Sequence, residues 1–305
     1  MRFSLMRARD PEMQAIVDQL IEERAPWLRR GDLKARLVRP FLHGLLKYDK
    51  TIRVGETLKP MPGPDILASL SDMIAHHVTV TGLERLPASG PGIVVCNHPT
   101  GIADGVVLFG ALAARRPDLF IFANADALRV LPQLGEVIAP VEWRPEKRTH
   151  KQNRETLAYA HAAFEQGRLA VIFPSGRLAK RRWLSLHERP WMASAAMLAR
   201  KYNLPVTPLH ITARNSALFY LFDRIHPTLR DITLFHEVLN KRHQPYRITI
   251  GDPIDAATLP SGSVEATELL KSRALELGGV KPQTVLTAPR YSKPAERLRP
   301  ARTLV

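Results

Sequence analysis

The apolar positions of this chain change period near residue 78. Before it they recur at helical spacing: Leu33, Leu37, Phe41 and Leu45 fall four apart, which places them on one stripe of a helix. The pattern predicts helices over 12–30 and 33–48, shortened or kinked at Pro26, Gly31 and Pro40. Lys34, Arg36, Arg39 and Lys47 flank the stripe, so the second helix is basic and amphipathic. Such a face packs on a core or lies in a membrane interface. The run from Lys59 to Pro64, with three prolines and a glycine, reads as a hinge.

After residue 78 short apolar runs alternate with helical stretches. Ile93–Cys96, Leu119–Ala123, Val137–Val141, Leu169–Phe173, Pro205–Ile211 and Tyr246–Ile250 read as strands. Ala103–Ala114, Thr149–Gln166 and Trp191–Tyr202 read as helices. Unbroken apolar runs suit strands buried on both faces. The expectation is an α/β fold, a central mixed sheet flanked by helices. It divides into an N-terminal helical region at 1–60, a main domain at 61–280 and a basic, proline-rich, disordered tail at 281–305.

Composition sharpens this picture in three ways. At 305 residues with 45% hydrophobic content, the chain can bury a sizeable core. No stretch of about 18 apolar residues occurs, so no spanning helix is expected, and the charged N-terminus does not read as a signal peptide. The single cysteine, Cys96, cannot form an internal disulfide. The formal net charge of +15 predicts attraction to a polyanion, either an anionic membrane or nucleic acid. No nucleic-acid recognition module is present, so a basic nucleic-acid-binding protein stays as the rival reading on charge alone.

The candidate chemistry sits after two of the predicted strands. His98 directly follows the first, and Asp104 falls in the first turn of the next helix. A loop between them could fold the carboxylate onto the imidazole. That fixes the tautomer and leaves the other ring nitrogen to accept a proton from an attacking hydroxyl. The simpler alternative is a loop histidine beside an acidic first-turn residue favoured by the helix dipole. After the later strand come Phe173-Pro-Ser-Gly-Arg177, where turn amides and a guanidinium fork suit a phosphate. Arg144, Lys147, Arg148 and the run Lys180–Arg182 add positive charge nearby in sequence; the run reads equally as a solvated basic face or as part of a membrane-facing surface with Trp183.

Other chemistries fail on particular residues. A serine hydrolase elbow needs glycines where Phe173 and Arg177 stand. No P-loop exists. His76 and His77 are adjacent and would point apart on regular structure, which argues against zinc. Cys96 reads as a small buried residue.

Taken together, the segments resemble the lysophospholipid acyltransferase superfamily over about residues 78–255. Four blocks occur in family order: Asn97-His98-Pro-Thr-Gly-Ile-Ala-Asp104, then Gly135 through Pro140-Val141 to Arg144, then Phe173–Arg177, then Pro205-Val-Thr-Pro208. Asn215–Tyr220, His226–Arg230 and Gly251–Ile254 are similar to the bacterial branch often labelled hemolysin-like. The resemblance implies that His98 is the general base and Asp104 its orienting partner. It implies that Arg144 and Arg177 contact an anionic headgroup, and that Asn97, Thr100, Gly101, Ser175 and Gly176 line the substrate. It implies an acyl-CoA or acyl-carrier-protein donor and a lysolipid acceptor, lysophosphatidic acid or lyso-ornithine lipid. No metal, cofactor or covalent enzyme intermediate is implied, and the expected place is the cytoplasmic side, peripheral on an anionic membrane surface. Two features depart from the common family pattern. Five residues, not four, separate His98 from Asp104, and Ser175 stands where an acidic residue is usual.

Overall fold

The computed structural model describes residues 10–30, 33–45, 47–142, 148–279 and 283–284. Asp10 starts the first helix, because its carboxylate accepts the amides of Glu12 and Met13 and Pro11 supplies a first helical residue that needs no donor. Helix α1 (Pro11–Arg24) ends before Pro26, where a 3-10 turn takes over. The second predicted helix is α2 (Leu33–Leu45); α3 (Tyr48–Leu58) and α4 (Gly63–Ile74) follow, in a stretch where no helix was predicted. The chain continues as β1 (Val78–Thr81), β2 (Gly92–Cys96), α5 (Ile102–Leu112), β3 (Phe120–Asn124), α6 (Asp126–Val130), β4 (Ile138–Val141), α7 (His150–Glu165) and β5 (Leu169–Ile172). Next come β6 (Lys180–Arg182), β7 (Ser185–His187), α8 (Ser194–Tyr202), β8 (Val206–Thr212), α9 (Ala217–Ile225), α10 (Pro227–Ile232) and α11 (Leu234–Asn240). β9 (Tyr246–Ile250), α12 (Ser263–Glu276) and β10 (Gln283–Thr284) complete the order.

The fold is α/β. Seven strands form a sheet in the order β1-β9-β8-β2-β5-β3-β4. Strands β8, β2, β5, β3 and β4 run parallel, while β9 is antiparallel to β8 and β1 parallel to β9, so the sheet is mixed. The central strand β2 is buried along its whole length and feeds two cores by simple alternation. Val94 and Cys96 join the cluster that includes Val107, Leu108 and Ile66. Ile93 and Val95 join the other, with Phe164, Ala196 and Leu270 from α7, α8 and α12.

The described part of the N-terminal region shares the first of these cores. Met13, Val17 and Ile21 belong to the same cluster as Val107 and Ile121, and Arg24 and Glu23 pair with Asp126 and Arg129 at 2.8 and 2.9 Å. The stretch after Lys59 is fastened on both sides. Lys59 Nζ lies 2.8 Å from Asp10 and 2.7 Å from Glu12, and the Gly63 amide donates to Glu136 at 3.1 Å. Composition alone reads these prolines as a hinge because it cannot see the carboxylates that hold them. Of the tail, Gln283 and Thr284 pair with Leu186 and Ser185 of β7, an ordered contact within a segment whose composition predicted none.

At the edge where the parallel strands begin, one buried arginine ties three loops together. Arg116 is 1% exposed. Its guanidinium donates to the carbonyls of Pro87, Gly90 and Gly167 at 3.1, 2.8 and 3.0 Å and forks onto Asp118 at 2.8 and 2.7 Å. The Asp118 carboxyl is pushed below its usual value, first by this hydrogen bond. Removing the cation leaves buried carbonyls without donors, so Arg116→Ala should lose on the order of 3 kcal/mol of stability. Urea unfolding measures this, and a loss under about 1 kcal/mol would show that the loops do not depend on it.

Candidate active site

Strands β2 and β5 are adjacent and parallel, so the loops that follow them open at the same edge of the sheet. That register brings His98 and Phe173–Arg177 together. The two blocks are far apart in sequence, yet the imidazole lies on the Phe173 ring with centroids 4.2 Å apart.

The His98 loop folds back onto Asp104 in the first turn of α5. Nδ1 of His98 lies 3.0 Å from Asp104 Oδ2, with 17% of the histidine side chain exposed and none of the aspartate. The same carboxylate accepts the amides of Thr100 and Gly101 at 2.8 and 3.0 Å, and the Thr100 hydroxyl. Because Thr100 spends its one proton there, Tyr246 OH donates to Thr100 Oγ1 at 2.7 Å. The approach of Nδ1 is off the N–H axis, so this shielded nitrogen has a charge partner but no well-directed hydrogen bond. Catalytic hydrogen bonds commonly align only with substrate in place. Within the five-residue spacing Gly101 takes a φ of 88°, which favours glycine; a side chain there would press on Leu178 and Leu234.

Several residues expected to line substrate are used inside the protein. Asn97 is buried and pairs with Ile211 through both ends of its amide, at 2.9 and 2.7 Å. Thr100 and Gly101 hold Asp104. In the second block Gly176 turns the chain at φ 58°, its amide bonded to Phe173 O at 2.9 Å. Ser175 is buried with its hydroxyl 2.8 Å from Arg177 O. Arg177 itself is exposed. It stands near half-buried Arg189, whose guanidinium is pushed below its usual value by burial and then by Arg177 and Arg230. Arg144 lies outside the described residues.

Two contributors were not legible in the sequence. Glu188 follows β7, and its Oε2 accepts the backbone amide of His98 at 3.2 Å across 90 residues, while Oε1 accepts Trp191 Nε1 at 3.1 Å. Burial raises its carboxyl, opposed by the His98 amide, Ser175 and Trp191. Tyr246, the first residue of β9, is the other; as an aromatic opening a strand it reads only as core. Cys96 is fully buried and its thiol is pushed well above its usual value, chiefly by burial, so it is a poor nucleophile.

A family model described as acyltransferase matches residues 77–212, which span both blocks. The match supports the resemblance to the lysophospholipid acyltransferase superfamily over these residues. It is similar to the lyso-glycine lipid O-acyltransferase of Phocaeicola vulgatus, 27% identical over 225 residues, 72% of this chain and 79% of that protein. The protein of the same name from Bacteroides thetaiotaomicron is 24% identical over 256 residues, 82% of this chain and 92% of its own. Among solved structures, the 1-acyl-sn-glycerophosphate acyltransferase of Thermotoga maritima superposes with a TM-score of 0.44 at 16% identity, covering 69% of this chain and 78% of that one.

The candidate site also carries a pH liability. His210 lies beside Asn97, Nε2 to Nδ2 3.5 Å, and burial lowers its imidazole from 6.5 to about 4. The unfolded chain protonates this group at about 6.5 and the folded one only near 4, so stability should fall as pH drops through that window and not change on its account above it. The full effect is about 3 kcal/mol. Urea unfolding at pH 7 and pH 4.5 should show a drop that His210→Gln reduces; equal drops in both proteins would mean the ring is not held neutral.

Proposed function

We propose that this chain is an O-acyltransferase that moves a fatty acyl group from a thioester to the hydroxyl of a lysolipid with an anionic headgroup. The observation that carries the reading is the His98–Asp104 pair, 3.0 Å apart just beyond the carboxyl end of β2, inside the segment that the acyltransferase family model matches. The names of the relatives favour an amino-acid-based lysolipid over lysophosphatidic acid as acceptor.

His98 accepts the proton of the acceptor hydroxyl at Nε2 while that oxygen attacks the thioester carbonyl. Asp104 steadies the positive imidazolium from the Nδ1 side. The tetrahedral intermediate then expels the thiolate, which takes the proton back from Nε2. Two products result, an ester and a free thiol, and the enzyme returns to its starting state with no covalent intermediate. Around this pair Arg177, near Arg189, is suited to the headgroup anion, because a guanidinium fork matches a carboxylate or phosphate. The donor is acyl-CoA or an acylated carrier protein, and both present the same thioester.

His98→Ala should cut transfer by a factor of about 10² to 10⁴ without unfolding the protein, since a partly exposed loop imidazole contributes little packing. Thiol release from acyl-CoA or acyl carrier protein, measured against a panel of lysolipids, reads this out; near-normal turnover would remove His98 as the base. On the same panel Arg177→Lys should raise the apparent KM for the acceptor more than for the donor, because the bidentate fork is lost. A defect confined to the donor would move Arg177 to the thioester side.

A further inference from the structure

The segment between Arg177 and Glu188 is a β-hairpin. β6 and β7 pair antiparallel with Arg182 opposite Ser185, leaving Trp183 and Leu184 as a two-residue turn. Trp183 is 92% exposed and its φ is 53°, a left-handed backbone that bulky residues rarely adopt. Fold stability favours glycine or asparagine at such a place, and an aromatic ring wholly in water stabilises nothing in the protein. Leu184 is also exposed. Lys180 and Arg182 alternate onto one face of β6 and are exposed beside this tip.

The inner face of the hairpin is fixed. Arg181 donates to Tyr220 O at 3.3 Å with its guanidinium 5.8 Å from the Tyr220 ring centroid, and Leu186 packs with Phe219 and Tyr220 of α9. Helix α9 in turn exposes Leu221 and Ile225, four residues apart on one stripe, next to exposed Arg224. The root of the hairpin grips the active-site histidine on both sides. The Ala179 amide donates to His98 O at 2.8 Å, and Glu188 Oε2 accepts the His98 amide at 3.2 Å.

We propose that the hairpin Lys180–His187, with the Leu221–Ile225 stripe of α9, is the surface that seats this protein on an anionic lipid bilayer, and that its root fixes His98 relative to that bilayer. An exposed aromatic tip flanked by cations matches the headgroup boundary, where a tryptophan ring is favoured and each lysine or arginine is attracted to anionic lipid. Three residues of strand rise by roughly 10 Å, so a tip immersed in the headgroup layer holds His98 near its outer edge. The choice of a lipid surface rests on the acyl-transfer reading, whose acceptor lives in a bilayer; the exposed tip and its attachment to His98 do not. The other expected docking face, on α2, is less complete. Leu33 and Leu37 are 72% and 69% exposed, but Arg39 is engaged with Glu22 at 2.8 Å and with Leu28 O.

Flotation with vesicles of phosphatidylcholine, alone or with roughly one-third phosphatidylglycerol, tests the proposal. The full-length protein should bind the anionic vesicles and release from them in high salt. Trp183→Asn suits the left-handed turn, so it should melt no lower than the parent while binding vesicles about tenfold more weakly. Lys180→Gln with Arg182→Gln should weaken binding about thirtyfold at low salt. Both variants should retain parental transfer to an acceptor dispersed in detergent. The proposal is overturned if they float like the parent, if no vesicle is bound, or if only Leu33→Ser with Leu37→Ser abolishes binding. Hairpin-dependent flotation by a protein that transfers no acyl group from either donor would keep the docking surface and sink the acyl-transfer reading instead.

Discussion

A carboxylate with no exposed surface must find its hydrogen-bond donors inside the protein, and the Asp104 side chain imposes that condition on everything around it. The loop after β2 is shaped to supply the donors. Thr100 gives both its amide and its hydroxyl, Gly101 takes a positive φ so that its amide can point inward, and Tyr246 reaches from β9 to complete the hydroxyl chain. His98 is left as the one member with access to solvent. The reactive group is therefore presented by a structure whose other polar groups are already satisfied, which favours a single geometry.

A second layer of buried charge lies behind this one. Lys241 is completely buried and pairs with buried Glu237 at 2.7 Å, while its ammonium also donates to Asn215 Oδ1 at 2.7 Å. Burial pushes the Lys241 ammonium below its usual value, and Glu237 opposes the change. Glu237 also accepts the amide and hydroxyl of Ser216, which fixes the start of α9. The helices that carry the outer surface of the site are thus pinned from within by paired charge. Removing one partner of such a pair strands the other and destabilises more than the pair itself contributes.

How much of this was legible depended on whether the signal was local. Strands β2 and β5 could be read because two-sided burial writes continuous apolar runs, β9 because Tyr246, Ile248 and Ile250 alternate with polar residues, and α7 because Thr149 and Gln152 form a reciprocal cap. The hairpin at 180–187 was missed because its strands are three residues long and basic, which reads as a solvated charge run. α12 was missed because its buried residues are mostly alanine and threonine, too small to mark a stripe. At the site, His98, Asp104 and Arg177 stood out by residue type and order. Glu188 and Tyr246 did not, because their roles come from tertiary approach across 90 and 146 residues, and nothing in their neighbours announces it.

The lone thiol gives the protein a built-in reporter. Cys96 ends the central strand, has no exposed surface and lies between the two loops of the site. An alkylating reagent can reach it only when β2 separates from its neighbours, so labelling proceeds at the rate or equilibrium of that opening and not at the rate of a surface thiol. Covalent tagging of an otherwise unmodified chain therefore times the breathing of the strand that carries the reactive histidine, and ligands that close the site should slow it.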